Sequence, residues 1–427
     1  MPRDDRRHDD KPEGGRSPAQ RDYDRLLYSS AFRRLNGVTQ VVLPRGEPHL
    51  FHNRLVHSLK VAQIGRRMAE GLVDAYPAEE LAGLRGGGID PDVVEAACLA
   101  HDLGHPPFGH VAEKELHGCV VDAGDHDGFE GNAQTLRIVT GLSAVTEAFP
   151  GLNLTRATLA ATAKYPWFRD DAPIAEKWGA YRVDQAEFDF AHEGLGHWER
   201  PIEADIMDRS DDIAYAVHDL EDFYRAGLIP LDRIVTGVED LSPVFARVQD
   251  KWPSHIDPVV PDDAELQGVA DTLASFPLDV PFRGTKSQRA QLRSFTSSLV
   301  NELAEGTSLV GGDLVTERGP LVLTELAKKL TWHYVIASSP LGTQQVGHRA
   351  IIRQLFGIYT EALEKREVHW LPTRWEEEAA AACDADPEGR PRFVADVIAG
   401  LTEEEAVRHC HRLTGVAPAA FLDPVVV

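Results

Sequence analysis

Ala97-Cys98-Leu99-Ala100-His101-Asp102-Leu103-Gly104-His105-Pro106-Pro107-Phe108-Gly109-His110 is the stretch on which the fold reading turns. Just upstream, Asp90 suits a helix N-cap, Pro91 the first helical position, and Asp92 the positive end of the helix dipole. From Val93 to Ala100 nearly every residue is apolar, and a helix apolar all round belongs in a core. Gly104 is expected to turn the chain in a left-handed conformation, and the two prolines prevent the helix from continuing. A His–Asp pair therefore stands at the end of a buried helix, where a cavity is easily built.

Two more helices lead to the same place. From Arg54 to about Leu72, one apolar stripe runs through Leu55, Leu59, Ala62, Ala69 and Leu72. A second runs through His57, Val61, Ile64 and Met68. Apolar on two sides, this helix is buried and carries His57 inside, with Arg54 one turn before it. The third helix spans about Glu203 to Arg225, with Ile206, Ser210, Ile213, Val217 and Leu220 as its core stripe. Asp211, Tyr215 and Asp219 share another face, one turn apart. A buried carboxylate costs several kcal/mol unless a cation or metal meets it.

Two imidazoles and two carboxylates make a mixed nitrogen and oxygen donor set suited to a divalent metal. Manganese, iron, cobalt, nickel and zinc are the borderline metals such a set suits. Such a metal would polarise a phosphoryl oxygen and acidify a coordinated water. His105, His110 and Glu113 stand close in sequence and offer groups that move protons. Each piece alone is weak. A lone buried histidine is more often a hydrogen-bonded core residue, adjacent His–Asp pairs arise by chance, and Asp211-Asp212 is by default a solvated acidic face.

The chain of 427 residues is 43% hydrophobic with net charge −24. That is enough to bury one large core or two modest ones. The negative surface disfavours general binding of nucleic acid or anionic membranes. No apolar run approaches the ~20 residues of a membrane span, and Met1 to Asp24 lacks the apolar stretch of a signal peptide. Cys98, Cys119, Cys383 and Cys410 form no C-x-x-C pair, which fits a reducing cytoplasm. Expected regions are a disordered polar tail over 1–22, a catalytic domain over 23–250, and a mainly helical region over 251–427 that contributes to the substrate pocket and to oligomer contacts. Arg45 to Pro48 reads as a turn, and Asp184 to Glu193 as an acidic loop of unread role. An all-α fold follows from the dominance of helical periodicity.

The order His57, His101-Asp102, Asp211 resembles the H…HD…D pattern of HD-domain phosphohydrolases. Longer strings are more specific: Tyr28 to Leu35, Asn53 to His57, Ala97 to His110, Gly128 to Arg137 and Asp211 to Asp219 all resemble the bacterial dGTPase-like deoxynucleoside triphosphate triphosphohydrolases. The likeness is strong from Tyr23 to Pro230 and weaker beyond. It implies a helical HD-domain core and hydrolysis of a deoxynucleoside triphosphate, dGTP or another, to deoxynucleoside and triphosphate. It implies metal ligation by His57, His101, Asp102 and Asp211, with Asp212 the alternative to Asp211. His110 and Glu113 would act beside the α-phosphate, with His105 a further phosphate-side histidine. Arg54, Lys164 and Tyr165 would touch phosphates, Gln40 and Asp219 the sugar, and Tyr215 would close on the deoxyribose. A tyrosine against C2′ would leave no room for a hydroxyl, while an amide and a carboxylate can each bind a 3′-hydroxyl.

The likeness also implies a homo-oligomer, a hexamer or a smaller even assembly. Ile351, Ile352, Leu355, Phe356 and Ile358 are candidates for an interface or a core. Lys286, Arg289 and Arg293 would reach a triphosphate or form a surface helix. Nucleic acid is restricted to a local regulatory site near Arg33, Arg34 and Arg45. The competing functions are a 5′-nucleotidase or cyclic-nucleotide phosphodiesterase of the same superfamily, and a nucleotide sensor or single-stranded nucleic-acid binder. Arg54 and Lys164 favour a triphosphate over a single phosphate, and four filled ligand positions argue against a silent sensor.

Overall fold

The structure, a computed structural model, describes residues 2–10, 14–40, 52–174, 176–273 and 276–415. Arg45 and the expected turn around it lie outside the described residues. The fold is all-α. In chain order its helices are α1 (Pro18–Tyr28), α2 (Ser30–Arg34), α3 (Arg54–Ala75), α4 (Ala78–Ala82), α5 (Pro91–Ala100), α6 (Gly109–Asp122), α7 (Gly131–Arg137), α8 (Arg156–Thr162), α9 (Gln185–His192) and α10 (Ile202–Arg225). They continue with α11 (Leu231–Val235), α12 (Ser242–Asp250), α13 (Asp263–Leu273) and α14 (Lys286–Glu305). A hairpin of β1 (Thr307–Val310) and β2 (Asp313–Thr316) pairs Thr307 with Thr316 in antiparallel register. After it come α15 (Arg318–Thr331), α16 (Ser339–Lys365), α17 (Glu376–Asp384), α18 (Arg390–Ala399) and α19 (Glu403–Thr414).

The buried helix predicted around the His–Asp pair is α5. The Asp90 side chain accepts from Asp92 N, Pro91 opens the helix, and Val93, Val94 and Ala96 to Ala100 are all buried. It packs against α3 and α10, whose inward faces carry His57 and Asp211. These three helices sit in a core that runs from Ala19 to Val335 and so crosses residue 250 without a break. A second core joins α6 to α16, α18 and α19. Ile352, Leu355 and Phe356 are buried in it, and Ile351 and Ile358 pack against it. The apolar residues that suggested an interface on α16 are thus core residues.

Three expectations are corrected. The segment 1–22 is not a loose tail among its described residues. Asp22 is fully buried and accepts from Thr155 N and Oγ1 at 2.9 and 2.6 Å, and Arg6 pairs with it at 2.6 Å. A carboxylate this deep requires the guanidinium, and that requirement pins the segment. The acidic stretch from 184 is mostly helix α9: Phe188 and Ala191, one turn apart, are buried, while Arg137 pairs with Asp184 and Arg156 with Glu193. Gly104, finally, is not left-handed. Glycine is needed there because a Cβ would lie 2.0 Å from the Gly131 carbonyl oxygen and 2.4 Å from Thr135 N. The start of α7 presses directly on the turn after His101.

Candidate active site

Asn53 sets the frame on one side. Its side chain accepts from Val56 N and starts α3 at Arg54, so Arg54 and His57 are both buried on the inward face. His101 stands at the C-terminal end of α5, and Asp211 lies in the middle of α10. His57 Nε2 is 3.0 Å from Asp211 Oδ1, and His101 Nε2 is 3.6 Å from the same oxygen. His101 Nδ1 lies 2.7 Å from the Cys98 carbonyl, which can only accept. Nδ1 therefore donates to that carbonyl, and Nε2 is turned toward Asp211.

Three donor atoms from His57, His101 and Asp211 lie within 4.8 Å of one another, and the buried His101 Nε2 has no hydrogen-bond partner among the described residues. That geometry fits a divalent cation. Burial pushes the His101 imidazole down, but the Asp102 and Asp211 carboxylates outweigh it and raise its pKa to about 9. Burial works against ionised Asp211 too, yet Lys164 and His101 hold its carboxyl well below the usual range. Positive charge is thus favoured in this pocket.

Asp212 points elsewhere: Lys328 Nζ donates to its Oδ1 at 2.7 Å. Of the two adjacent aspartates it is Asp211 that the fold brings to the histidines. Asp102 stands beside the three-donor set and not in it. Its Oδ1 is 3.6 Å from His101 Nε2, while Arg54 donates to its Oδ2 at 2.9 Å.

The second group of donors is His105, His110 and Glu113. His110 Nδ1 donates to Glu113 Oε2 at 2.9 Å, and Glu113 Oε1 accepts from Gly131 N at 3.1 Å. Glu113 is buried and His110 is exposed. Burial alone would raise the Glu113 carboxyl, but the bond from His110 and the charge of Lys177 hold it below its ordinary value. His105 Nδ1 approaches Asp102 Oδ1 at 3.0 Å without hydrogen-bond alignment. Burial, with Arg54 nearby, lowers its pKa to about 4 and keeps it neutral.

Both groups meet a cavity of about 390 Å³. Gln40, Arg54, His101, Asp102, His105, His110, Lys164, Tyr165, Asp211 and Tyr215 line it. His57 and Glu113 stand behind this wall, bonded to Asp211 and His110. Asp219 is not on the wall. It is buried, its Oδ2 has no hydrogen-bond partner among the described residues, and burial with Asp222 and Asp211 nearby pushes its carboxyl well up. Lys286, Arg289 and Arg293 are exposed on α14 and none lines the cavity. Arg33 is exposed, whereas Arg34 donates to the Leu103 and His105 carbonyls at 2.7 and 2.9 Å.

Sequence reasoning missed several wall residues. Lys177 reaches the cavity and lies 3.0 Å from Glu130 Oε1 and 3.5 Å from Glu113 Oε1. The only available signal was that Glu130, which caps α7 and is buried, needs a cation. Gln344, Gln345 and His348 arrive from α16, and His348 stacks on Phe108 with ring centroids 4.1 Å apart.

A helical scaffold that gathers an H…HD…D residue set at one cavity defines an HD-domain phosphohydrolase. Residues 54–146 match the HD domain, and residues 321–412 match the phosphohydrolase-associated domain. The chain is 36% identical to a deoxyguanosinetriphosphate triphosphohydrolase-like protein of Streptomyces coelicolor, covering 94% of this chain and 93% of the relative. It is 35% identical to the protein of the same description from Corynebacterium efficiens, over 94% and 92%. For that of Azorhizobium caulinodans the identity is 33%, over 95% and 92%. The chain belongs to the deoxyguanosinetriphosphate triphosphohydrolase-like family. No helix among the described residues is long and apolar enough to cross a membrane.

Proposed function

We propose that this phosphohydrolase converts deoxynucleoside triphosphates, dGTP among them, to deoxynucleoside and triphosphate. The observation that carries the reading is a single cavity joining the His57, His101 and Asp211 donors to a cationic, imidazole-lined wall. Those three residues, with Asp102 beside them, would hold a divalent cation, manganese or magnesium first. When bound, it supplies Lewis-acid polarisation of a phosphoryl oxygen.

The chain's own residues do the rest. Arg54, Lys164 and Lys177 neutralise phosphate charge in a partly buried setting, where each cation counts for more than in water. Glu113 takes the Nδ1 proton of His110 as a hydrogen bond, which leaves His110 Nε2 to accept or return a proton at the reacting phosphate. His105 faces the same region as a neutral imidazole. Tyr215 packs against the sugar and rejects a 2′-hydroxyl by contact, and Gln40 binds the 3′-hydroxyl. The region beyond 250 serves the pocket through α16 and Glu403. We place the enzyme in the cytoplasm as an even-numbered homo-oligomer, which light scattering at micromolar concentration measures.

The functional test is to incubate the purified protein with each dNTP and NTP plus manganese or magnesium, and to identify products by mass. Inorganic triphosphate from dNTPs is the expected product. Orthophosphate or a nucleoside monophosphate in its place overturns the reading.

A further inference from the structure

Three segments far apart in sequence meet at the cavity rim, and one carboxylate joins two of them to the third. Thr402 caps α19, and Glu403 is its first residue. Glu403 Oε1 accepts from Thr39 N at 3.0 Å and from Phe108 N at 3.2 Å. Its Oε2 accepts from Thr39 Oγ1 at 2.8 Å. The surrounding backbone is docked closely. Arg34 donates to the Leu401 carbonyl at 3.1 Å as well as to those of Leu103 and His105, and a Cβ on Gly37 would lie 2.7 Å from Thr402 Cγ2.

Each arm of the carboxylate ends beside a residue of the site. Thr39 precedes Gln40, which lines the cavity. Phe108 sits at φ 68°, a left-handed conformation that a residue with a Cβ rarely adopts. It immediately precedes α6, whose first turn presents His110 and Glu113, and its own side chain makes no capping hydrogen bond to that helix. The bond from Phe108 N to Glu403 is therefore a restraint on the backbone that aims His110.

We propose that Glu403 is a positioning residue. Through Thr39 it sets the sugar end of the cavity, and through Phe108 it sets the His110–Glu113 pair, so that docking of α19 completes the site. The kinetic part of this inference rests on the proposed triphosphohydrolase function; the structural part does not.

Glutamine can reproduce the brace. Its amide oxygen can accept both backbone N–H groups, and its NH2 can donate to Thr39 Oγ1. Alanine removes every bond, and Thr39→Val removes only the hydroxyl arm. Glu403→Ala is expected to lower kcat ~10- to 100-fold, the scale of a small misplacement of reacting groups, at unchanged metal content. Amide exchange at Thr39 and Phe108 should become faster. Glu403→Gln should return kcat to within ~3-fold of wild type, and Thr39→Val should raise KM several-fold with kcat within ~2-fold. Wild-type kcat in Glu403→Ala despite faster exchange overturns the inference, as does equal loss in the alanine and glutamine variants. If Glu403→Ala does not fold, Thr39→Val decides: an unchanged KM overturns the sugar arm and with it the proposal. A wild-type protein that hydrolyses no dNTP overturns the functional reading alone. Exchange at Phe108 that is the same in the wild type and in Glu403→Ala overturns the brace alone.

Discussion

His101 and His105 stand four residues apart on one turn, and the fold gives them opposite electrostatics. His101 faces two carboxylates and its pKa rises to about 9; His105 is buried near Arg54 and its pKa falls to about 4. The first environment attracts a cation, and the second leaves a neutral imidazole on the wall where phosphates would lie. Asp102 lies between them, 3.6 Å from one ring and 3.0 Å from the other, with Arg54 on its far oxygen. On the proposed function, one carboxylate thus separates the half of the cavity that would hold a cation from the half that would handle protons. Division of labour, and not mere clustering of histidines, is what makes the arrangement suited to phosphoryl chemistry.

The division predicts different failures on its two sides. His101→Ala should empty the cation-holding half, with bound metal lost and hydrolysis reduced ~10⁴-fold or more, to background. Elemental analysis beside an activity assay measures both. Unaltered metal content in both His101→Ala and Asp102→Ala would end the assignment of this half. On the other side, His110→Ala should reduce turnover by ~10²- to 10⁴-fold while metal content stays normal. Glu113→Gln should act in the same direction and less strongly. Turnover within a few-fold of wild type in a folded His110→Ala protein removes the pair from the chemistry.

A smaller effect is expected where neither half is touched. Tyr215 is half-buried on the cavity wall, one turn from Asp211. Steric exclusion of one group by a pocket is worth roughly 1–3 kcal/mol. Tyr215→Ala should therefore raise kcat/KM for NTPs relative to dNTPs by ~10- to 200-fold. A wild-type enzyme that accepts NTPs and dNTPs equally well contradicts this role before any variant is made.

What the sequence disclosed follows the same physical lines. The cap at Asp90, the apolar run behind it and the stripes of α3 and α10 are local signals, and they placed His57, His101 and Asp211 on helices that do meet. Choosing between Asp211 and Asp212 needed the structure, because adjacent helical residues point about 100° apart and only packing says which direction is inward. Lys177 and Glu403 were illegible for another reason. Lys177 lies outside any helix, and Glu403 touches Thr39 across 364 residues of chain. Asp219 shows the limit of periodicity from the opposite side. It shares a helical face with Asp211 and Tyr215, yet two turns further on that face has left the cavity and entered the protein.

The smallest expected effect separates loss of the site from loss of the fold. His218 in α10 and His409 in α19 lie outside the two donor groups and are held neutral: burial lowers each pKa to about 4. Lys60 Nζ lies 3.1 Å from His218 Nδ1, and Tyr359 Oη is 2.9 Å from His409 Nδ1. An unfolded imidazole titrates near 6.5. Between about pH 6.5 and pH 4 the unfolded chain therefore binds more protons than the folded one, so stability falls as pH falls through that window. Each histidine contributes roughly 1–3 kcal/mol of this loss, allowing for partial solvent screening. His409→Gln should flatten the dependence of melting temperature on pH below 6.5, and an equally steep dependence in the variant contradicts the assignment. The same measurement sharpens the contrast between His101 and His105. Activity that fades toward pH 5 together with the melting temperature reports these distant histidines, whereas activity that fades at constant melting temperature reports titration at the cavity itself.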